Sequence, residues 1–164
     1  MEKWDLYDKN RNKLNKVVNR GDILNDDEFH LVVNAWIKND KDEFLITQRA
    51  PNKSFAYMWE CTGGSAQSGE TSLDAVAREV KEELNINIDK SKAKLFNSTL
   101  RYYKGCPDIL DVWIINDNTA LENITVQKEE VMNVKWASRQ EILDLYNEGK
   151  FEANAFFKEV INKG

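Results

Sequence analysis

Residues 72–84, Ser-Leu-Asp-Ala-Val-Ala-Arg-Glu-Val-Lys-Glu-Glu-Leu, place two opposed demands on one helix. Leu73, Val76, Ala77, Val80 and Leu84 fall on one stripe at 100° per residue, so that face has to be buried. Glu79, Glu82 and Glu83 stand at i, i+3 and i+4 and crowd an arc of roughly 100°, centred about 120° from the stripe. Two unit charges 4 Å apart repel by about 4 kcal/mol at an effective dielectric near 20. A helix needed only for packing gains nothing from such an edge. A hard divalent cation, which prefers oxygen ligands, reverses the sign of the interaction. The competing reading is a solvated acidic face relieved by Arg78 and Lys81. Thr71 with Asp74 resembles a capping box at the start of the helix, and Asn85, tolerant of left-handed backbone, ends it.

The flanking segments read mostly as strands. A polar hairpin is expected over about 4–18, from Trp4–Tyr7 through a turn to Lys13–Val18. Phe29–Ile37 and Glu43–Arg49 form a strand pair around a turn at 39–42, and Met58–Thr62 is a short strand. Gly63, Gly64 and Gly69 bracket a loop that needs permissive backbone. Lys94–Tyr103, Ile109–Ile115 and Val131–Trp136 are further strands. Ser138 with Glu141 is a second capping box and opens a helix to about Asn147; a third helix covers Asn154–Asn162, so helices close the chain over about 138–162. Strict βαβ alternation is absent, which predicts an α/β (α+β) fold with helices on the faces of a mixed β-sheet.

At 164 residues the chain is expected to form one domain, 1–164. The net charge of −5 argues against a nucleic-acid polymer as partner, because that affinity comes from Lys and Arg neutralising phosphates. It leaves room for a nucleotide in a local site. Cys61 and Cys106 are too few and too far apart for a disulfide framework or a thiolate metal site. No apolar run approaches the ~20 residues of a membrane span, and Met1–Asp8 lacks the apolar stretch of a signal peptide. A cytoplasmic location is expected.

The spacing around the helix is more specific than its composition. Gly64, five residues, Glu70, seven residues, then Arg78-Glu79-Val80-Lys81-Glu82-Glu83-Leu84-Asn85-Ile86 resembles the Nudix box over residues 64–86. Six of its seven fixed polar or glycine positions match, with Asn85 in place of the last glycine. Six matches at fixed spacing arise by chance in roughly one chain of this length in 10⁵. The resemblance implies a Nudix-type α/β/α sandwich and an enzyme that cleaves a diphosphate linkage in a nucleoside diphosphate or derivative. It implies a divalent cation, Mg²⁺ or Mn²⁺, held by the Gly64 carbonyl, Glu82 and Glu83. Glu79 matches a residue that either binds the metal or acts as general base, and Glu70 and Arg78 match a pair that ties the loop to the helix. The partner it implies is a small-molecule diphosphate; it says nothing of oligomeric state.

Two further segments resemble another Nudix-fold enzyme, the type I isopentenyl-diphosphate isomerase: Phe29–Asn39, and Gln48–Lys53 with Met58-Trp59. By that resemblance Arg49 and Lys53 would contact the diphosphate, His30 would match a metal-binding histidine, and Asp111 would align approximately with a metal ligand. The isomerase pattern fails at its acid–base cysteine, where Gly63 stands, and at its loop histidine, where Ser65 stands. The sequence therefore reads as a hydrolase on an isomerase-like frame. Glu129 and Glu130 precede the Val131–Trp136 strand, where many Nudix hydrolases place an additional glutamate.

Overall fold

The computed structural model describes all residues, 1–164. Its strands are β1 (Lys3–Tyr7), β2 (Lys13–Asn19), β3 (His30–Lys38), β4 (Phe44–Arg49), β5 (Trp59–Glu60), β6 (Thr62–Ser65), β7 (Ala93–Arg101), β8 (Asp108–Asn116) and β9 (Val131–Ala137). Its α-helices are α1 (Ser72–Leu84), α2 (Arg139–Asn147) and α3 (Phe157–Lys163). β1 and β2 form a two-stranded sheet, bridged from Tyr7 to Phe29 just before β3, while the remaining strands share one sheet along the path β5-β4-β3-β8-β7, with β6 also on β3 and β9 on β4. β3 and β8 run parallel, from His30 opposite Asp108 to Lys38 opposite Asn116, and every other strand pair is antiparallel. No helix is long and apolar enough to cross a membrane.

Alternation along β3 explains why both faces of the sheet are covered. Leu31, Val33, Ala35 and Ile37 point one way and pack with Ala75, Val76, Val80 and Leu84 of α1. Trp36 points the other way and joins Phe44, Ile46, Leu110 and Val112 against Ile142 of α2 and Phe157, Val160 and Ile161 of α3. The result is a mixed sheet between one helix and two, the expected α/β/α sandwich. The helix ends follow their local chemistry. Thr71 and Asp74, and likewise Ser138 and Glu141, form reciprocal capping boxes, and Asn85 closes α1 with φ 56° and ψ 29°.

Four local readings change. The segment 58–62 is not one strand, because pairing breaks at Cys61 between β5 and β6. Gly63 and Gly64 are not loop; they lie in β6 opposite Asn34 and Val33. Their lack of a side chain therefore serves close approach rather than a left-handed turn. On α1 the fully buried small residue is Ala75 rather than Ala77, because the side of the helix that carries Glu79 and Glu83 lies against β6, while Glu82 stays half-exposed. The last helix begins at Phe157, since Phe156 directly before it takes a left-handed φ of 66°.

The β1–β2 hairpin is fastened to the sheet by charge. Asp5 accepts hydrogen bonds from the Ser68 hydroxyl and the Gly69 amide, both at 2.8 Å. Arg11 forms an ion pair with both carboxylate oxygens of Asp111, which is fully buried on β8 and also accepts from Ser98 at 2.7 Å. These donors hold the Asp111 carboxyl below its ordinary range despite the burial that raises it. Removing one partner of a fully buried pair costs about 3–5 kcal/mol. Because Arg11 is itself partly in water, Arg11→Met is expected to cost about 2 kcal/mol. Urea unfolding of the wild type and variant measures it, and an unchanged midpoint would show that Ser98 and water suffice for Asp111.

Candidate active site

Two periodicities meet where β6 crosses α1. Alternate residues of β6, Thr62 and Gly64, face the helix. Two residues of strand advance about 6.6 Å, and four residues of helix advance about 6.0 Å. Gly64 therefore meets Glu79, and Thr62 meets Glu83 one turn later. A Cβ built at Gly64 would overlap the Glu79 carboxyl group. The Thr62 hydroxyl is buried, faces Glu83 and has no well-formed hydrogen bond. Such an unsatisfied buried group marks a place where a further partner belongs.

The carboxylates differ in surroundings. Burial pushes the Glu83 carboxyl well above its ordinary value, and Glu79 and Glu60 add to the rise. Burial also raises Glu79, against the opposing pull of Arg78. Arg78 is the hub. It donates to both oxygens of Glu70 at 2.7 and 3.0 Å, to Glu79 at 2.9 Å, to Glu82 at 3.1 Å and to the Ser65 carbonyl at 2.9 Å. One guanidinium thus ties the loop before α1, strand β6 and two carboxylates of the helix edge.

These residues open onto a cleft of about 360 Å³. Glu79, Glu82, Glu83, Gly64, Arg78, Arg49, Lys53 and Glu130 all line it. Arg49 grips both oxygens of Glu60 at 2.8 and 2.9 Å and donates to the Ser54 carbonyl, while Lys53 pairs with Glu130. Glu70 does not line the cleft; it sits behind it, held by Arg78 and by the Gln67 amide at 2.8 Å.

The structure places His30 and Asp111 elsewhere. The His30 ring stacks on Trp4 at 4.1 Å and donates from Nδ1 to the Pro107 carbonyl at 3.1 Å; burial holds its pKa below the ordinary value. Asp111 is held on β8 by Arg11 and Ser98, away from the cleft. Both are part of the packing between the hairpin and the sheet.

Three Asp, Glu, His or Cys side chains do not already converge on one point, because Arg78 draws Glu79 and Glu82 to itself. The donor set nevertheless suits a hard divalent cation. Two partly buried carboxylates with raised pKa, Glu79 and Glu83, lie side by side against β6, where only glycine leaves the main chain accessible. Glu79, Glu82, Glu83 and the Gly64 carbonyl are the groups that could hold one.

The family model described as "NUDIX domain" matches residues 28–159. The chain belongs to the Nudix family. Nudix hydrolases act on phosphoric anhydrides and generally use divalent metal ions. An uncharacterized Nudix hydrolase of Listeria monocytogenes is 35% identical over 99% of this chain and 95% of its own. The isopentenyl-diphosphate Δ-isomerase of Escherichia coli is 28% identical over 70% of this chain and 64% of its own. The crystal structure of DR0079 from Deinococcus radiodurans superposes with a TM-score of 0.77 and 23% identity, covering 99% of this chain and 98% of that one.

Several cleft residues carry no signal in the sequence. Glu60 sits on a two-residue strand, Arg20 follows the end of the hairpin, and Asn34 and Asn154 are single polar residues among apolar neighbours. Asn154 donates to the Asn34 Oδ1 at 2.7 Å, joining the segment before α3 to the middle of the sheet. None of these belongs to a spaced motif. Only the topology gathers them.

Proposed function

We propose that this chain is a divalent-metal-dependent pyrophosphohydrolase that cleaves a diphosphate linkage in a nucleoside diphosphate or a derivative, with Mg²⁺ or Mn²⁺ as the ion. The observation that carries the reading is the burial of Glu79 and Glu83 against Gly64 and Thr62, with only one guanidinium to balance the helix edge. Leaving carboxylates desolvated in this way is costly unless a cation completes them. Glu82, Glu83, Glu79 and the Gly64 carbonyl would hold the ion, which when bound stabilises charge developing on the phosphoryl oxygens. Arg49 and Lys53, at the end of β4 and in the loop after it, bind the diphosphate by exchanging Glu60 and Glu130 for phosphate oxygens. Arg78 keeps the helix edge and the preceding loop in fixed relation. The raised pKa of Glu79 brings it closer to the range in which a carboxylate accepts a proton from water at neutral pH.

The isomerase of Escherichia coli supports a second reading, isomerisation of an isoprenoid diphosphate. The cleft opposes it. Of its 21 lining residues only three are hydrophobic, and none is aromatic, so an isoprenoid tail would find little apolar surface to cover it. Cys61, the thiol nearest the cleft, is buried, and its pKa is pushed up by that burial. Cys61→Ala is expected to leave hydrolytic turnover within a few-fold. Loss of an isopentenyl-diphosphate isomerase activity in that variant would favour the second reading.

The test is a screen of nucleoside di- and triphosphates, dinucleoside polyphosphates and nucleotide sugars for product release with Mg²⁺. Turnover is expected to vanish in excess chelator. Mg²⁺ alone is expected to raise the melting temperature, since an ion that binds only the folded state stabilises it by mass action. Full activity in chelator would refute the metal assignment.

A further inference from the structure

Besides Arg78, four basic side chains line the cleft, among six glutamates, and they stand at two separate walls. Arg49 and Lys53 stand at one wall. At another stand Arg20, which follows the last residue of β2, and Arg101, the last residue of β7. Arg49 and Arg101 lie toward the same end of the sheet, since Arg101 pairs with Asp108 opposite His30 at the start of β3 and β4 runs antiparallel to β3 toward that end; Trp4, in the hairpin that carries Arg20, stacks on His30 there. From β4 to β7 the path crosses β3 and β8. β4 pairs with β3 only at Phe44 and Leu45, and β6 lies along β3 from Val32 to Ala35, so the two walls are at least three strand spacings, roughly 14 Å, apart, which is wider than the separation of adjacent phosphorus centres in a diphosphate.

Arg20 and Arg101 are anchored but not spent. Arg101 donates Nε and Nη2 to the buried Asp108 at 2.7 and 2.9 Å, and its guanidinium lies over the Tyr103 ring at 5.2 Å. Arg20 donates Nη1 to Glu2 at 2.9 Å, and the other oxygen of Glu2 accepts from Trp4. The remaining guanidinium donors, Nη1 of Arg101 and Nη2 of Arg20, are free to meet an anion. Fixed guanidiniums with free edges suit a phosphate oxygen fork. Arg20 also lies before residue 28, outside the part of the chain that the Nudix model matches.

We propose that Arg20 and Arg101 form a second anion subsite, and that the substrate is a diphosphate bearing a further phosphate set apart from the scissile linkage. The proposal rests on the hydrolase reading for the site of cleavage, and on the cleft walls alone for the subsite. The absence of aromatic side chains among the lining residues fits it. Recognition in this cleft falls on charge and amides rather than on stacking beneath a base.

NADPH and NADH are a suitable probe pair, since both contain a diphosphate and they differ by one phosphate on a neighbouring ribose. Binding is measured by nicotinamide fluorescence in excess chelator, so that turnover does not intervene. Wild type is expected to bind NADPH about 10-fold more tightly than NADH, as a charge-assisted contact worth about 1.4 kcal/mol would give. Arg20→Gln, a substitution on the exposed rim, is expected to bring the ratio close to one. Arg101→Lys, which keeps a cation beside Asp108 while losing the fork, is expected to lower it partly. Equal affinities in wild type, no binding of either nucleotide, or a ratio unmoved by Arg20→Gln would overturn the subsite. Product release with Mg²⁺ across the substrate screen, assayed separately, reports on the hydrolase reading: a preference for NADPH with no product released from any compound screened would retain the subsite and reject the hydrolase.

Discussion

Glu82→Gln and Glu83→Gln are each expected to lower turnover by about 10²–10⁴-fold at saturating Mg²⁺, with circular dichroism unchanged. The amide has the shape of the carboxylate and lacks its charge, and charge is what a hard cation requires of its ligands. The two substitutions should then part company in stability. Glu82 is half-exposed and hydrogen-bonded to Arg78, so its loss should be almost neutral. Glu83 is a desolvated carboxyl beside two others, and a neutral amide there removes repulsion. In chelator Glu83→Gln is expected to melt above wild type, by about 2–4 °C for each kcal/mol gained in a domain of this size. Mg²⁺ should reverse the order, because only the wild type binds it tightly. Glu79→Gln separates the two roles open to that residue. A base variant keeps its Mg²⁺ affinity and turns over slowly, whereas a ligand variant loses both. Near-wild-type rates in all three folded variants would mean that the edge of α1 is decoration and that the metal reading is wrong.

The sequence carried these carboxylates plainly because a helix translates spacing into placement without help from the rest of the chain. Residues 79, 82 and 83 share an edge whatever surrounds them, and the caps at Thr71 and Asn85 depend on local backbone alone. What covers that edge was not legible. Nothing within α1 says that Ala75 will be buried beneath its carboxylates; that follows from β6 joining the sheet beside β3, a pairing between residues 27 to 33 apart in sequence. The same holds for Asp111. A lone carboxylate in an apolar strand fits both a ligand and a buried ion pair, and only the approach of Arg11, 100 residues away, decides between them. His30 is settled in the same way by Trp4 and Pro107. Arg20 and Arg101 belong to no motif, and their shared wall depends on how the hairpin folds back onto the sheet.

Gly64→Ala tests the close approach itself. Gly64 has ordinary extended backbone within β6, so alanine is allowed there by φ and ψ and adds only a methyl group. That methyl has nowhere to go. Its position overlaps the carboxyl carbon and both oxygens of Glu79, and the Cα that carries it is pinned opposite Val33 on a buried strand. The flexible partner has to yield, so the Glu79 side chain swings away from β6 while Arg78, held by Glu70 and the Ser65 carbonyl, stays in place. A displacement of about 1 Å at a reacting centre costs on the order of 10²-fold in rate. Gly64→Ala is therefore expected to lose about 10²-fold in kcat with little change in circular dichroism, since the strand pairing is undisturbed. Replacing Glu79 by Ala in the same chain makes room for the methyl group. If the overlap is the cause, adding Gly64→Ala to Glu79→Ala should lower kcat much less than it does in the wild type. A double mutant in which the two losses simply multiply would mean that Gly64 matters for some other reason, such as presentation of its carbonyl. The comparison needs only the four rates and the Mg²⁺ affinity of each protein.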